Sequence, residues 1–305
     1  MLNRIIVPLD GSQLSHSALP LARSLAEHTG AGITLLSVID PPRDFYIAPQ
    51  DASTTRLRPK DIEHLAGEEI RIQEYLDRMK TMFEDIRVST DIRLGNAAEE
   101  IIDAAEATAG SAIVMASHGR TGLGRMFIGS VANRVVQATH VPVFISRASS
   151  DSRAEYGKLK INHVAVALDG SRLAEQALDK AYNIFRNNVR YTLIRVVEPV
   201  APGQSYTSET IARYEREARE AAEDYLAEAS ETLIAQGATV SADVRVTQPA
   251  SGITRTAGEF GADMIAMTTH GRSGMGRFLM GSVAERVLHD ADRPVMIIHG
   301  TEDPE

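Results

Sequence analysis

Short runs of consecutive apolar residues alternate along this chain with longer stretches in which apolar residues recur every three or four positions. In the first half the runs are NRIIVPL (3–9), GITLLSVI (32–39), IRVSTDIRL (86–94), SAIVMA (111–116) and VPVFIS (141–146). A strand with one wet face would alternate apolar and polar residues. Unbroken apolar runs instead predict parallel strands covered on both faces. Between the runs the spacing is helical: in the second half Ile211, Tyr214, Ala218, Ala221, Tyr225, Ala229 and Leu233 follow at three- and four-residue steps. Strand–helix alternation implies right-handed crossovers and a parallel sheet, so the pattern predicts doubly wound α/β domains of five strands and four helices. Pro20 falls a turn or so into the first helical stretch, where it should delay the helix start or bend it.

The pattern occurs twice. His118, Gly119, Gly129 and Pro142 recur 152 residues later as His270, Gly271, Gly281 and Pro294, and IIVPLDGS (5–12) matches VAVALDGS (164–171), where Asp10 recurs 159 residues on as Asp169. The longer polar stretch at 41–61 in the first copy accounts for most of the difference between the two offsets. RASSDSRAEYGKLK (147–160) has no periodicity and reads as a linker. The expected organisation is a first domain at 1–147, a linker at 148–160 and a second domain at 161–305.

Composition narrows the partners. The 305 residues carry a formal net charge of −9, which argues against a nucleic-acid or anionic-membrane binder while leaving local anion sites possible. Cysteine is absent, so disulfide, thiolate and zinc-thiolate chemistry are excluded. MLNRIIVPLD runs straight into a strand-like segment, and no apolar run approaches the ~20 residues of a membrane span; the expected location is the cytoplasm.

Chemistry concentrates in ASHGRTGLGRMFIGSVANRVV (116–136) and its repeat TTHGRSGMGRFLMGSVAERVL (268–288). Each follows a strand and leads into a helix, so it lies on the sheet edge where α/β proteins bind ligands. Glycines let the backbone approach an anion, and a helix start supplies N–H groups and the positive end of a dipole. Glycines alone would equally make a tight turn. Ser130 and Ser282 are placed to cap their helices and to offer a hydroxyl to phosphate, with Arg120 and Arg272 adding charge. Gly122 and Gly124 serve only to let the loop fold. Neither loop matches G-x-x-x-x-G-K-[ST], and the turn LDGSQLS lacks G-x-G-x-x-G, which disfavours Walker-type and dehydrogenase-type sites. Asp10 and Asp169 end their central strands, where a carboxylate can accept from ribose hydroxyls or cap a helix. His118 and His270 read as phosphate donors or solvated loop residues, and Ser12 and Ser171, without a histidine base, as helix caps.

Taken together, V-P-L-D-G-S, L-L-S-V-I-D, the long G-R-T-G-L-G-R-M-F-I-G-S-V-A loop and V-P-V-F-I resemble the universal stress protein family, twice over and across essentially the whole chain. The resemblance implies two tandem Rossmann-like domains, each a five-stranded parallel sheet in the order 3-2-1-4-5 with helices on both faces. It also implies ATP held by a G-x-x-G-(nine residues)-G-[ST] loop, with magnesium or manganese on the phosphates. Carried over, the loop residues are Gly119, Arg120, Gly129 and Ser130 in the first copy and Gly271, Arg272, Gly281 and Ser282 in the second. Asp10 and Asp169 would meet ribose, and the backbones of Val38 and Val196 adenine. Pro8, Ser117 and Val131, with Ala167, Thr269 and Val283, complete the implied sites. Both copies depart from the family loop at its first glycine, which is Ala116 in one and Thr268 in the other. Threonine is bulkier and stiffer than alanine, and Gly95 aligns with Thr247, so the first half is expected to be at least as competent as the second. The implied function is an adenine-nucleotide-binding, non-enzymatic regulator; a slow ATPase and a nucleotide-free protein acting by association are the alternatives. The last strand of each half would be an exposed edge unless paired, so the halves are expected to dock through those strands as a pseudo-dimer, and a homodimer of the whole chain is plausible.

Overall fold

The computed structural model describes residues 2–41, 59–117, 128–147, 159–200, 207–269 and 280–300. The first half runs β1 (Arg4–Pro8), α1 (Ala18–Thr29), β2 (Gly32–Ile39), α2 (Pro59–Lys80), β3 (Val88–Leu94), α3 (Ala97–Glu106), β4 (Ser111–Ala116), α4 (Ser130–Ala138) and β5 (Val143–Ser146). The second repeats it as β6 (His163–Leu168), α5 (Arg172–Phe185), β7 (Arg190–Val197), α6 (Ser208–Ala235), β8 (Thr239–Val246), α7 (Pro249–Glu259), β9 (Met264–Thr268), α8 (Ser282–Asp290) and β10 (Val295–Ile298). All ten strands form one sheet in the order β3-β2-β1-β4-β5-β10-β9-β6-β7-β8. Pairing is parallel within each half and antiparallel at the junction, where Ile145, Phe144 and Val143 face Val295, Met296 and Ile297.

The unbroken apolar runs are explained by burial on both faces. Ile5 and Val7 of β1 point into one core, with Leu19 of α1, Leu76 of α2, Leu178 of α5 and Leu226 of α6. Ile6, between them, points into the other, with Ile101 of α3, Val135 of α4, Ile253 of α7 and Val287 of α8. Each core therefore runs across both halves. A fully buried aliphatic side chain contributes about 1.5–3 kcal/mol, so these two layers supply the main stabilisation.

Pro20 is the third residue of α1, where its missing N–H has no intrahelical acceptor to lose. A short 3-10 turn at Ser15–Ser17 precedes α1, whereas α5 begins directly after Ser171, so the proline goes with a delayed start. In α6 the apolar stripe differs from the expected one. Tyr214 is 57% exposed and Ala221 is exposed, while Ala222, Leu226 and Leu233 are buried. Ala221 and Ala222 are adjacent and chemically identical, so spacing alone could not say which faces inward.

Phe144 is fully buried on the junction strand and belongs to the core shared by both halves. Phe144→Ala is expected to lower unfolding free energy by about 3–5 kcal/mol, and because that core is common property, near-UV circular dichroism in denaturant should show one transition shifted as a whole. A separate early transition of one half would contradict the shared core.

Candidate functional site

β1 ends on Pro8, and the chain turns at Asp10–Gly11–Ser12 just beyond the carboxyl edge of the sheet. Asp10 Oδ1 accepts from the Ser12 amide at 3.0 Å and from the Ser12 hydroxyl at 2.6 Å. Asp169 Oδ1 accepts from Ser171 N–H at 2.9 Å and Oγ–H at 2.6 Å. Both turns need a glycine at positive φ, Gly11 at 79° and Gly170 at 86°. Each carboxylate thus closes a local turn of its own instead of capping a helix. Ser171 caps α5 as expected, its Oγ accepting from the Ala174 amide. The expectation that Ser12 caps a helix is corrected, since its Oγ accepts from the Ser15 amide of the 3-10 turn, where the cap position is Leu14, and α1 is preceded by Ser17.

Across the sheet edge, Gly129 N–H donates to the Ser117 carbonyl at 2.7 Å, and Gly281 N–H donates to the Thr269 carbonyl at 2.8 Å. These bonds tie the start of α4 to the end of β4, and the start of α8 to the end of β9. The helix caps are Gly129 and Gly281, with no side-chain cap bond. Ser130 and Ser282 are the first helical residues, so the expectation that they cap their helices is corrected. A glycine carbonyl begins each ladder, accepting from Asn133 N–H at 2.9 Å and Glu285 N–H at 3.0 Å, which leaves both serine hydroxyls clear of a capping duty.

Between the Asp10 turn and the α4 start lies a cavity of about 270 Å³. Of the residues singled out in the sequence, Pro8, Asp10, Val38, Ala116, Ser117, Gly129, Ser130 and Val131 all line it. So do Leu9, Ser15, Leu36, Ala97, Ile101, Met115 and Ala132, which sequence reasoning missed. Ala97 and Ile101 sit one turn apart on α3, and the readable signal for them was Asn96, whose side chain accepts from the Ala98 and Glu99 amides and fixes where α3 begins. In the second half Ala167, Asp169, Val196, Thr268, Thr269, Gly281, Ser282 and Val283 take the repeat-related places. His118, Gly119, Arg120, Gly122 and Gly124, and His270, Gly271 and Arg272, lie outside the described residues.

The ground beneath each aspartate differs in charge. In the first half His16 Nε2 meets the Tyr75 hydroxyl at 2.7 Å with the rings stacked. Burial pushes the His16 ring below its ordinary value, and the Asp10 charge opposes that shift. In the second half Tyr225 takes the place of Tyr75 and Glu175 that of His16. The Tyr225 phenol is raised, by burial first and then by the Glu175 charge, with Arg195 acting the other way. The Arg195 guanidinium lies 4.8 Å over the Tyr225 ring.

The model of the universal stress protein family matches residues 1–147 and again 160–299. The chain belongs to the universal stress protein family. A universal stress protein of Mycolicibacterium smegmatis is 26% identical over 306 residues, covering 96% of both chains. One from Methanocaldococcus jannaschii is 34% identical over 144 residues, 47% of this chain and 80% of that one. Among solved structures, a universal stress protein from Archaeoglobus fulgidus superposes with a TM-score of 0.65 at 20% identity, over 99% of this chain and 98% of its own. A structure from Pseudomonas aeruginosa, described as functionally unknown, gives a TM-score of 0.61 at 17% identity over 98% and 93%. These structures share the fold. No helix among the described residues is long and apolar enough to cross a membrane.

The His16 environment in this universal stress protein is open to titration. Its ring, followed by NMR, is expected to titrate below 6.5. Asp10→Asn keeps a side-chain oxygen for the Ser12 turn but removes the charge that holds the proton on, so the His16 midpoint should fall further. A rise in that midpoint would show that Asp10 does not act on His16 through its charge.

Proposed function

We propose that this universal stress protein is an adenine-nucleotide-binding regulator, in which the bound nucleotide favours one conformation or assembly. The observation that carries the reading is the cavity enclosed by the Asp10 turn, the α3 wall of Ala97 and Ile101, and the glycine-started α4. Its chemistry is graded along its length. Leu36, Val38, Ile101 and Met115 make an apolar floor suited to a planar base. Asp10 presents a carboxylate to sugar hydroxyls, and the first amides of α4 have no carbonyl one turn back to bond. A base, a sugar and an anion are the three parts of a nucleotide.

At about 270 Å³ the cavity is small for a ligand pocket, which typically spans ~300–1,000 Å³. It suits base and sugar inside with phosphates lying along the α4 start. A magnesium or manganese ion would ride on those phosphates, supplying charge neutralisation. Asp10 is committed to two hydrogen bonds from Ser12, which suits a fixed acceptor better than a group that must pick up and release a proton. The reading is therefore binding, not turnover, with the two sheet halves acting as a built-in pair in the cytoplasm.

Purified protein, denatured to release small molecules, is expected to yield an adenine nucleotide by mass spectrometry, and ATP with magnesium should raise its unfolding temperature. Finding no nucleotide and no thermal shift in excess ATP overturns the proposal. Asp10→Asn should weaken ATP binding about 10- to 100-fold, the range for one hydrogen bond to a charged acceptor, measured by isothermal titration calorimetry.

A further inference from the structure

The two halves share a turn, a helix start and a strand order, yet they differ at the positions a ligand would meet. Ala97 and Pro249 are the first residues of α3 and α7. Ala116 and Thr268 end β4 and β9, followed by Ser117 and Thr269. Asn133 and Glu285 are the fourth residues of α4 and α8. Strand register pairs Leu36 with Pro8 and Ile194 with Ala167, so Ser37 and Arg195 are equivalent as well.

The exchanges at Ala97, Ala116, Ser117 and Asn133 work against a nucleotide in the second half. Proline and two threonines replace alanine, alanine and serine on the walls of a cavity that has little room to spare. Thr268 and Thr269 are 5% and 1% exposed, so the methyl group each adds over its first-half counterpart is packed inside the protein. Glu285 puts a carboxylate in the first turn of α8, whereas the first turn of α4 carries no acid. A negative charge there already satisfies the positive end of the helix dipole and repels phosphate. Beside the Asp169 turn, an Arg195 guanidinium nitrogen occupies the space over Gly170, 2.9 Å from where a Cβ would stand.

Building on the nucleotide reading of the first half, we infer that each chain takes one nucleotide, in the first half alone. The second half is a structural twin whose site is closed by Pro249 and Thr268 and made repulsive to phosphate by Glu285. Glu285 is exposed and proline is benign at a first helical position, so the exchanges at 285 and between Ala97 and Pro249 are compatible with folding, while those at Ala116 and Thr268 fall on buried strand ends.

The experiment is calorimetric titration of the full-length chain with ATP and magnesium, with circular dichroism to verify folding. The wild type should bind one equivalent. Ala97→Pro with Ala116→Thr, which writes the second-half residues into the first, should weaken that binding by at least about tenfold while leaving the fold intact. Glu285→Asn with Pro249→Ala and Thr268→Ala should add a second equivalent. Two similar equivalents in the wild type, or one that survives the first-half exchange, overturn the inference but leave the nucleotide reading standing. No gain in the triple variant overturns the role given to those three residues. No binding by any variant overturns both readings.

Discussion

An open parallel sheet leaves a row of unpaired N–H and C=O groups on its last strand, and that liability organises the whole chain. β5 and β10 are each only four residues long and fully buried, a composition that water would punish if either stood as a bare edge. Antiparallel pairing between them satisfies both at once and brings the two halves together about a pseudo-twofold axis. Once they are joined, each helical layer covers one continuous apolar surface spanning both halves. The outer ends of the sheet, β3 and β8, are managed differently. Both are only part-buried, and each carries charge in the same place: Arg93 bonds Asp91 and pairs with Glu100, while Arg245 bonds Asp243 and Glu259.

The same sheet positions the candidate site. Parallel strands with right-handed crossovers bring every strand-to-helix turn to one edge, so Asp10 and Gly129, more than a hundred residues apart, come to line one cavity. Among the described residues, local bonds fix several points of that edge. Asp10 is fixed by its own turn, Gly129 by a bond to Ser117, and Ala97 by the Asn96 cap. Local motifs on a rigid sheet are a cheap way to place chemistry, because the scaffold absorbs the entropy cost before a ligand arrives.

Much of this was legible in the sequence because it is periodic or repeated. The strands at 32–39 and 111–116 fall where unbroken apolar runs put them, bounded by glycine and by loop residues. The cavity residues that could be named beforehand lie around Asp10 and around 116–131, where glycines and aspartates stand out, except Val38, which only the family resemblance pointed to. Those that could not, such as Ile101 and Leu36, are ordinary core residues whose place at the cavity depends on which turn of α3 rests against β2. Ser130 was misassigned because serine before a helix suggests a cap; the backbone starts the helix one residue earlier than its polar side chain implies. In α6, two neighbouring alanines hid the true stripe.

The duplicated halves also show how a fold keeps its packing while its sites part ways. Gly95 stands at φ 155°, and a Cβ there would come within 2.6 Å of the Glu100 carboxylate. At the matching places of the second half the sizes are reversed: Thr247 is the larger residue and Gly252 the small one, with the Thr247 methyl 2.8 Å from where a Gly252 Cβ would be. Small against large has become large against small, so in each half a glycine makes room for its neighbour. Arg245, deprived of a partner at position 252, finds Glu259 about two turns further along α7. A half merely drifting after losing its purpose would accumulate unmatched changes and cavities, each costing stability. The second half instead holds compensated pairs, so its fold is under the same packing constraint as the first. The differences at Pro249, Thr268 and Glu285 are then local to the edge of the candidate site, and the sheet beneath it keeps its packing.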